Sequence, residues 1–259
     1  ILSSLAELCS LRNAAARDRM RDALPAGEPL NQSISMAMLR TLRPGPESKA
    51  VRGIVFDMDG TLTVPVLDFP KMRRVVGVPE GQDVLDFLAG LEPAERAQRE
   101  AALHAVEEEG MAAMQVMPGV EELAKHLDER AVPRALVTRN LKRAVDLFHA
   151  THFDLPPFEP VLTREFLPYK PHPAALLHIA EHWGITPQEL VMVGDSAKDD
   201  VVSGNRAGAW TILLDTEGTH RERGQGLEGD LRPHFYAASM QEVQQILTTE
   251  LQLPSPRVA

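Results

Sequence analysis

The sequence predicts an α/β fold, a mostly parallel five-stranded sheet flanked by helices, with a small helical insert directly after the first strand. Three observations carry that prediction. From Arg52 onward short β-rich runs alternate with helical patterns, as a parallel sheet with crossover helices requires. Several of those runs end in residues that carry chemistry, such as Asp57 and Asp195, which is where open parallel sheets collect their ligands. Between Thr63 and Met117 the alternation stops and only helical patterns remain.

The elements follow in chain order. Residues 1–50 read as an extension and linker. Leu2, Leu5, Leu8 and Leu11 recur at helical spacing, suiting a short amphipathic helix that packs on the body or on another subunit. Arg43-Pro44-Gly45-Pro46 has linker composition. The predicted strands are Gly53 to Phe56, Arg134 to Val137, Pro160 to Leu162, Leu190 to Val193 and Thr211 to Leu214. Gly119 to Arg130 keeps Val120, Leu123, Ala124 and Leu127 on one helical face, and Leu141 to Ala150 repeats the pattern. Pro173 to Trp183 stops at Gly184, and Thr186-Pro187-Gln188-Glu189 carries a capping-box signature. Ser239-Met240-Gln241-Glu242 opens the last helix. In the insert, helices are expected over Pro70 to Val76, Gln82 to Leu88 and Pro93 to about Gln115. Glu107-Glu108-Glu109 reads there as a solvated helix face. The expected domains are 51–63 with 118–259 as the α/β core, and 64–117 as the helical insert.

Composition narrows the function. The chain has 259 residues, 44% of them apolar and 25% charged, ordinary for a globular protein with one well-buried core. Lys plus Arg is 27 against 37 for Asp plus Glu, and the net charge of −10 disfavours a nucleic-acid binder. Cys9 is the only cysteine, so neither an intrachain disulfide nor a cysteine-built metal site is available. No apolar run approaches the roughly 18 residues of a membrane span. The expectation is a soluble intracellular protein, cytoplasmic in the first reading. The Ala, Arg, Ser and Leu content of the first residues suits a plastid or mitochondrial address, but Glu7, Asp18, Asp22 and Glu28 count against one.

Four motifs carry the chemistry. In FDMDGTLT, residues 56 to 63, Asp57 and Asp59 stand two positions apart, so a strand-like period projects both carboxylates into one space. VTRN places Thr138 after a strand and before a helix, where its hydroxyl and backbone N–H groups suit an anion. YKPHP holds Lys170 at a helix entrance, and VGDSAKDD again ends a strand in acids, with Gly194 permitting a tight turn before Asp195. Singly, each motif has an ordinary reading as a turn, a helix cap or a surface lysine. The ordered set DxDGT, T, K, GDSxxDD does not.

That ordered set resembles the haloacid dehalogenase superfamily of phosphatases and phosphotransferases, over about Gly53 to Leu247, and within it the phosphoglycolate-phosphatase and β-phosphoglucomutase branch. The resemblance implies a Rossmann-like core with Asp57 as nucleophile and Asp59 as general acid and base. Thr138 and Lys170 would hold the phosphoryl group, with Gly60, Thr61, Arg139 and Asn140 beside them. Magnesium would sit among Asp57, Asp59, Asp195 and the second acid of the fourth motif. Counted forward from Asp195 that acid is Asp199; counted back from Gly204 it is Asp200, the preferred reading. The insert would be the family's helical cap, with Lys71, Arg73 and Arg74 as candidates for reaching a second anionic group of the substrate.

Physical chemistry supports these roles. Like charges brought to about 4 Å repel by on the order of 4 kcal/mol at an effective dielectric near 20. A phosphate ester among Asp57, Asp59 and Asp195 therefore needs a cation, and magnesium with Lys170 would supply it. The expected function is a magnesium-dependent phosphomonoester hydrolase for a small metabolite, phosphoglycolate or a sugar phosphate. Its rivals are a phosphotransferase or mutase on the same core and a catalytically retired binding subunit. A dehalogenase would have no use for a proton donor at Asp59.

Overall fold

The computed structural model describes residues 45–220 and 227–257. The expected leucine-spaced helix, the transit reading and any subunit contact through the first 44 residues lie outside them.

The sheet begins at its centre. Strand β1 (Gly53–Phe56) is followed by the insert helices α1 (Phe69–Val76), α2 (Val84–Ala89) and α3 (Pro93–Ala112). Helix α4 (Val120–Asp128), β2 (Arg134–Val137), α5 (Lys142–Thr151) and β3 (Val161–Leu162) build outward on one side. After α6 (Ala174–Trp183) the chain crosses to the other side of β1 with β4 (Leu190–Gly194). A π-helical turn, Ala197–Val201, runs into α7 (Val202–Ala207), then come β5 (Trp210–Leu214), β6 (Phe235–Ala237) and α8 (Met240–Thr249). The strand order is β3-β2-β1-β4-β5-β6, every pairing parallel. This is a Rossmann-like arrangement whose order reverses between β1 and β4, the position where such sheets bind ligands.

Six strands stand where five were expected. The sixth, β6, is a three-residue edge strand directly after Pro233-His234, too short to display an alternating pattern. Thr186 and Glu189 do form a capping box, but the helix they open is a single 3₁₀ turn that delivers the chain to β4.

Neighbouring residues of β1 serve opposite faces, as the strand period demands. Val55 packs with Leu176, Ile179 and Met192 under α6. Phe56 meets Phe158 edge-on at 5.6 Å, and Phe158 continues into Phe148 and Phe153. The insert has a small core of its own, with Met72, Val76, Leu88, Leu103 and Val106 buried together. Its first two helices are capped by Asp68, which accepts from the Lys71 N–H, and by Asp83, which accepts from Leu85 and Asp86. Such caps stabilise a helix by about 1 kcal/mol each.

Candidate active site

The carboxyl ends of β1 and β4 bring the predicted acids together. The Asp57 N–H donates to the Val193 carbonyl at 2.9 Å, tying the two strand ends side by side. Lys170, only 2% exposed, reaches in from the loop between β3 and α6. Its Nζ donates to Asp57 Oδ1 at 2.5 Å and to Asp200 Oδ1 at 2.6 Å. Burial alone would lower the lysine pKa, but the carboxylates of Asp200 and Asp57 hold it above its ordinary value, so the ammonium stays charged.

Asp57, Asp195 and Asp200 each offer a carboxylate oxygen, all within 4.8 Å of one another. Among the described residues Lys170 is the one cation bonded to these three carboxyl groups, through Asp57 and Asp200. Desolvation first, then the charges of Asp57 and Asp200, pushes Asp195 up to about 8. Hard oxygen donors gathered this closely are the chemistry magnesium takes, so the residues fit that ion.

Two glycines make the approach possible. A Cβ on Gly60, which has φ of 79°, would lie 2.2 Å from Asp195 Oδ2. One on Gly194 would lie 2.2 Å from Asp200 Cγ. Within the DG and GD pairs, each glycine is therefore the space an acid occupies.

Asp59 is held apart from the cluster. Asn140 Nδ2 donates to its two carboxylate oxygens at 3.2 and 3.0 Å, while Asn140 Oδ1 accepts from the Leu141 N–H at 2.7 Å, which fixes the amide's direction. Burial, then the charge of Asp57, raises the Asp59 pKa to about 7 against the pull of Asn140. Thr138 is buried, and its Oγ1 accepts from the Asn140 N–H at 3.0 Å, leaving its own proton to donate. Thr61 is buried in the turn after Gly60, and its Oγ1 has no hydrogen-bond partner among the described residues.

The two adjacent acids of the fourth motif part company. Asp200 takes Lys170 on one oxygen and the Ser196 N–H on the other, at 3.0 Å. Asp199 turns to Arg139 at 3.1 Å. The π-helical turn, in which the Val201 N–H reaches back to the Ser196 carbonyl, absorbs the extra residue of this motif.

A cavity of about 700 Å³ opens over these groups and is walled by both insert and core. The cations expected to read the substrate are placed differently. Lys71 pairs with Glu109, Arg74 is exposed, and Arg73 lines the cavity but donates to the Pro79 and Gln82 carbonyls. Instead the core's Arg139 bonds Asp83 of the insert at 2.6 Å and stacks 4.9 Å over Tyr169. The core's Arg164 bonds Glu107 at 2.6 Å. The expectation of a solvated Glu107-Glu108-Glu109 face is overturned at its first residue: Glu107 is 3% exposed, because α3 lays it against Arg164. Glu108 meets Arg143, a third insert-to-core pair. Arg164, Glu107 and Asp83 escaped sequence reasoning. The one available signal was that Arg164 also follows a strand end.

Fold and site together define a Rossmann-like enzyme with a strand-end carboxylate centre under a helical cover. A family model for haloacid dehalogenase-like hydrolases matches residues 51–208. A haloacid dehalogenase-like hydrolase domain-containing protein of Arabidopsis thaliana is 42% identical over 232 residues, 85% of this chain and 92% of that one. A phosphoglycolate phosphatase of Vibrio vulnificus is 30% identical over 220 residues, 74% of this chain and 94% of that one. A solved β-phosphoglucomutase from Clostridium difficile superposes with a TM-score of 0.59 at 14% identity, covering 77% and 98% of the two chains, a likeness of fold. The chain belongs to the haloacid dehalogenase-like hydrolases. It is an enzyme of that family's phosphatase type. No described helix is long and apolar enough to cross a membrane.

Proposed function

We propose that the protein is a magnesium-dependent phosphomonoester hydrolase acting on a small phosphorylated metabolite through an aspartyl-phosphate on Asp57. The observation that carries this reading is the Lys170 ammonium clamped between Asp57 and Asp200, with Asp195 in the same cluster and Asp59 held separately. That separation divides the labour between two acids only two residues apart.

Asp57, hydrogen-bonded to the Lys170 ammonium, attacks phosphorus in line. The bond from phosphorus to the ester oxygen breaks, and Asp59 gives its proton to the departing alkoxide. Asp59 then accepts a proton from the water that attacks the aspartyl-phosphate, which frees inorganic phosphate and restores Asp57. Lys170 and the Thr138 hydroxyl hold the phosphoryl oxygens during both displacements. Magnesium, held by Asp57, Asp195 and Asp200, would neutralise charge on the transferring group. Residues 64–117 serve as a cap that excludes water, over a core of 51–63 and 118–259. The Vibrio relative suggests phosphoglycolate as substrate, and a sugar phosphate is the other reading.

Phosphate release from an aryl phosphate tests this. With magnesium and no acceptor alcohol the enzyme turns over, EDTA stops it, and Asp57→Asn lowers kcat by about 10³-fold or more. Activity that survives Asp57→Asn would defeat the nucleophile assignment. Turnover that requires an acceptor alcohol would make the protein a phosphotransferase.

A further inference from the structure

Resting on the phosphatase reading above, we propose that Tyr169 is a positioning residue: held by Arg139 of the core and Asp86 of the insert, it sets the backbone that aims Lys170. The seating of α2 thereby reaches the chemical step. Lys170 lies in 163–173, the stretch between β3 and α6 that belongs to no helix or strand. Its Nζ must nonetheless stay within hydrogen-bond reach of Asp57 and Asp200 at once, at 2.5 and 2.6 Å. A long, flexible lysine stem does not supply that aim by itself. The backbone that carries it has to be fixed from outside.

Tyr169 is anchored through its backbone, its ring and its hydroxyl. Its carbonyl accepts from the His172 N–H at 3.0 Å, which closes a turn with Lys170 and Pro171 as the central residues. Its ring lies 4.9 Å under the Arg139 guanidinium. Arg139 in turn holds Asp83 of the insert at 2.6 Å and Asp199 at 3.1 Å. The Tyr169 hydroxyl donates to the Asp86 carboxylate in the first turn of α2. Burial and then Asp86 hold the phenol above its ordinary pKa, so it stays a donor. The cluster has a regular plan: Arg139 follows Thr138, Tyr169 precedes Lys170 and Asp199 precedes Asp200. Each member is thus one residue from a group assigned to the phosphoryl or metal site. Tyr169 itself does not line the cavity, so it acts through Lys170 and does not touch substrate. A misplacement of about 1 Å in a reacting arrangement costs up to about 100-fold in rate, so a lost anchor is read in kcat.

The test uses the full chain with magnesium and two phosphoryl donors of different size, an aryl phosphate and acetyl phosphate. Tyr169→Phe keeps the ring under Arg139 and removes only the hydroxyl. In Tyr169→Phe and in Asp86→Ala, kcat falls about 10-fold for both donors while KM stays within about 2-fold of wild type. The double variant falls no further than either single one, the mark of two groups acting through one bond. Asp86→Asn still offers an oxygen to the hydroxyl and keeps kcat within about 2-fold. Amide hydrogen exchange separates positioning from mere fastening: in Tyr169→Phe, exchange in α2 changes by less than about 3-fold. Exchange in α2 that rises by the factor by which kcat falls would make Tyr169 a fastener of the insert and overturn the proposal. So would additive losses in the double variant, losses carried by KM, or an unchanged kcat in Tyr169→Phe. Should Asp86→Ala not fold, Tyr169→Phe and Asp86→Asn decide between them. Each of these failures leaves the phosphatase reading standing. A wild type that releases phosphate from neither donor sinks that reading, and this inference with it.

Discussion

Asp199 and Asp200 are sequence neighbours with different partners, because successive positions of a helical turn point in different directions. Asp200 joins the lysine-held cluster and Asp199 joins Arg139. Their substitutions should therefore separate. Asp200→Asn is expected to raise the magnesium concentration for half-maximal activity by about 10- to 100-fold, the usual cost of disturbing a metal's immediate surroundings. Asp199→Asn shifts that midpoint by less than about 3-fold and acts on KM instead; magnesium titrations of both variants check the contrast. Asp57 and Asp59 were legible in the sequence from their strand-like period, and Thr138, Lys170 and Asp195 through the ordered set of motifs and the family it resembles. Glu107 was not legible. Whether a charged helical residue faces water depends on its partner, here Arg164, which lies 57 positions further on.

At the level of elements, the insert meets the core through pairs of opposite charge. The insert supplies Asp83, Glu107 and Glu108, and the core supplies Arg139, Arg164 and Arg143. Tyr169 adds a hydroxyl that donates to Asp86. Asp83 is both the cap of α2 and a partner of Arg139, and although burial would raise its pKa, Arg139 holds it below the usual carboxylate range. Arg139→Met leaves Asp83 and Asp199 facing each other without their shared cation. Faster amide hydrogen exchange in α1, α2 and α3, with β1, β4 and β5 unchanged, is the expected outcome, together with a KM raised about 10-fold. Equal exchange throughout would show that the clasp is not what seats the insert. The long helices of this region were readable from their periodicity and proline starts. The turn at Ala197–Val201 was not, since its wide hydrogen bonding leaves no 3.6-residue pattern to detect.

For the molecule as a whole, the carboxylate cluster is a stability term as well as a catalytic one. Bringing Asp57, Asp195 and Asp200 together works against folding to the extent that Lys170, which bonds two of them, does not offset their repulsion. Magnesium at about 100 times its dissociation constant is thus expected to stabilise the native state by about 2.7 kcal/mol, read as a higher Tm that EDTA reverses. In Asp200→Asn the magnesium-induced rise shrinks. The parallel sheet as a class was legible from alternation alone. Its sixth strand was not, because an edge strand is defined by the neighbour it pairs with.

The described body also closes on itself. The Val51 N–H donates to the Gln252 carbonyl, and the Gln252 N–H donates to the Lys49 carbonyl, so residues just before β1 and just after α8 are hydrogen-bonded neighbours. In topological terms the core from 49 to 252 is nearly a ring. A short linker could join those positions and new ends could be opened in a surface loop elsewhere without reordering a strand, the condition for circular permutation. The sheet's order belongs to the ring, and the position of its ends is a separate property.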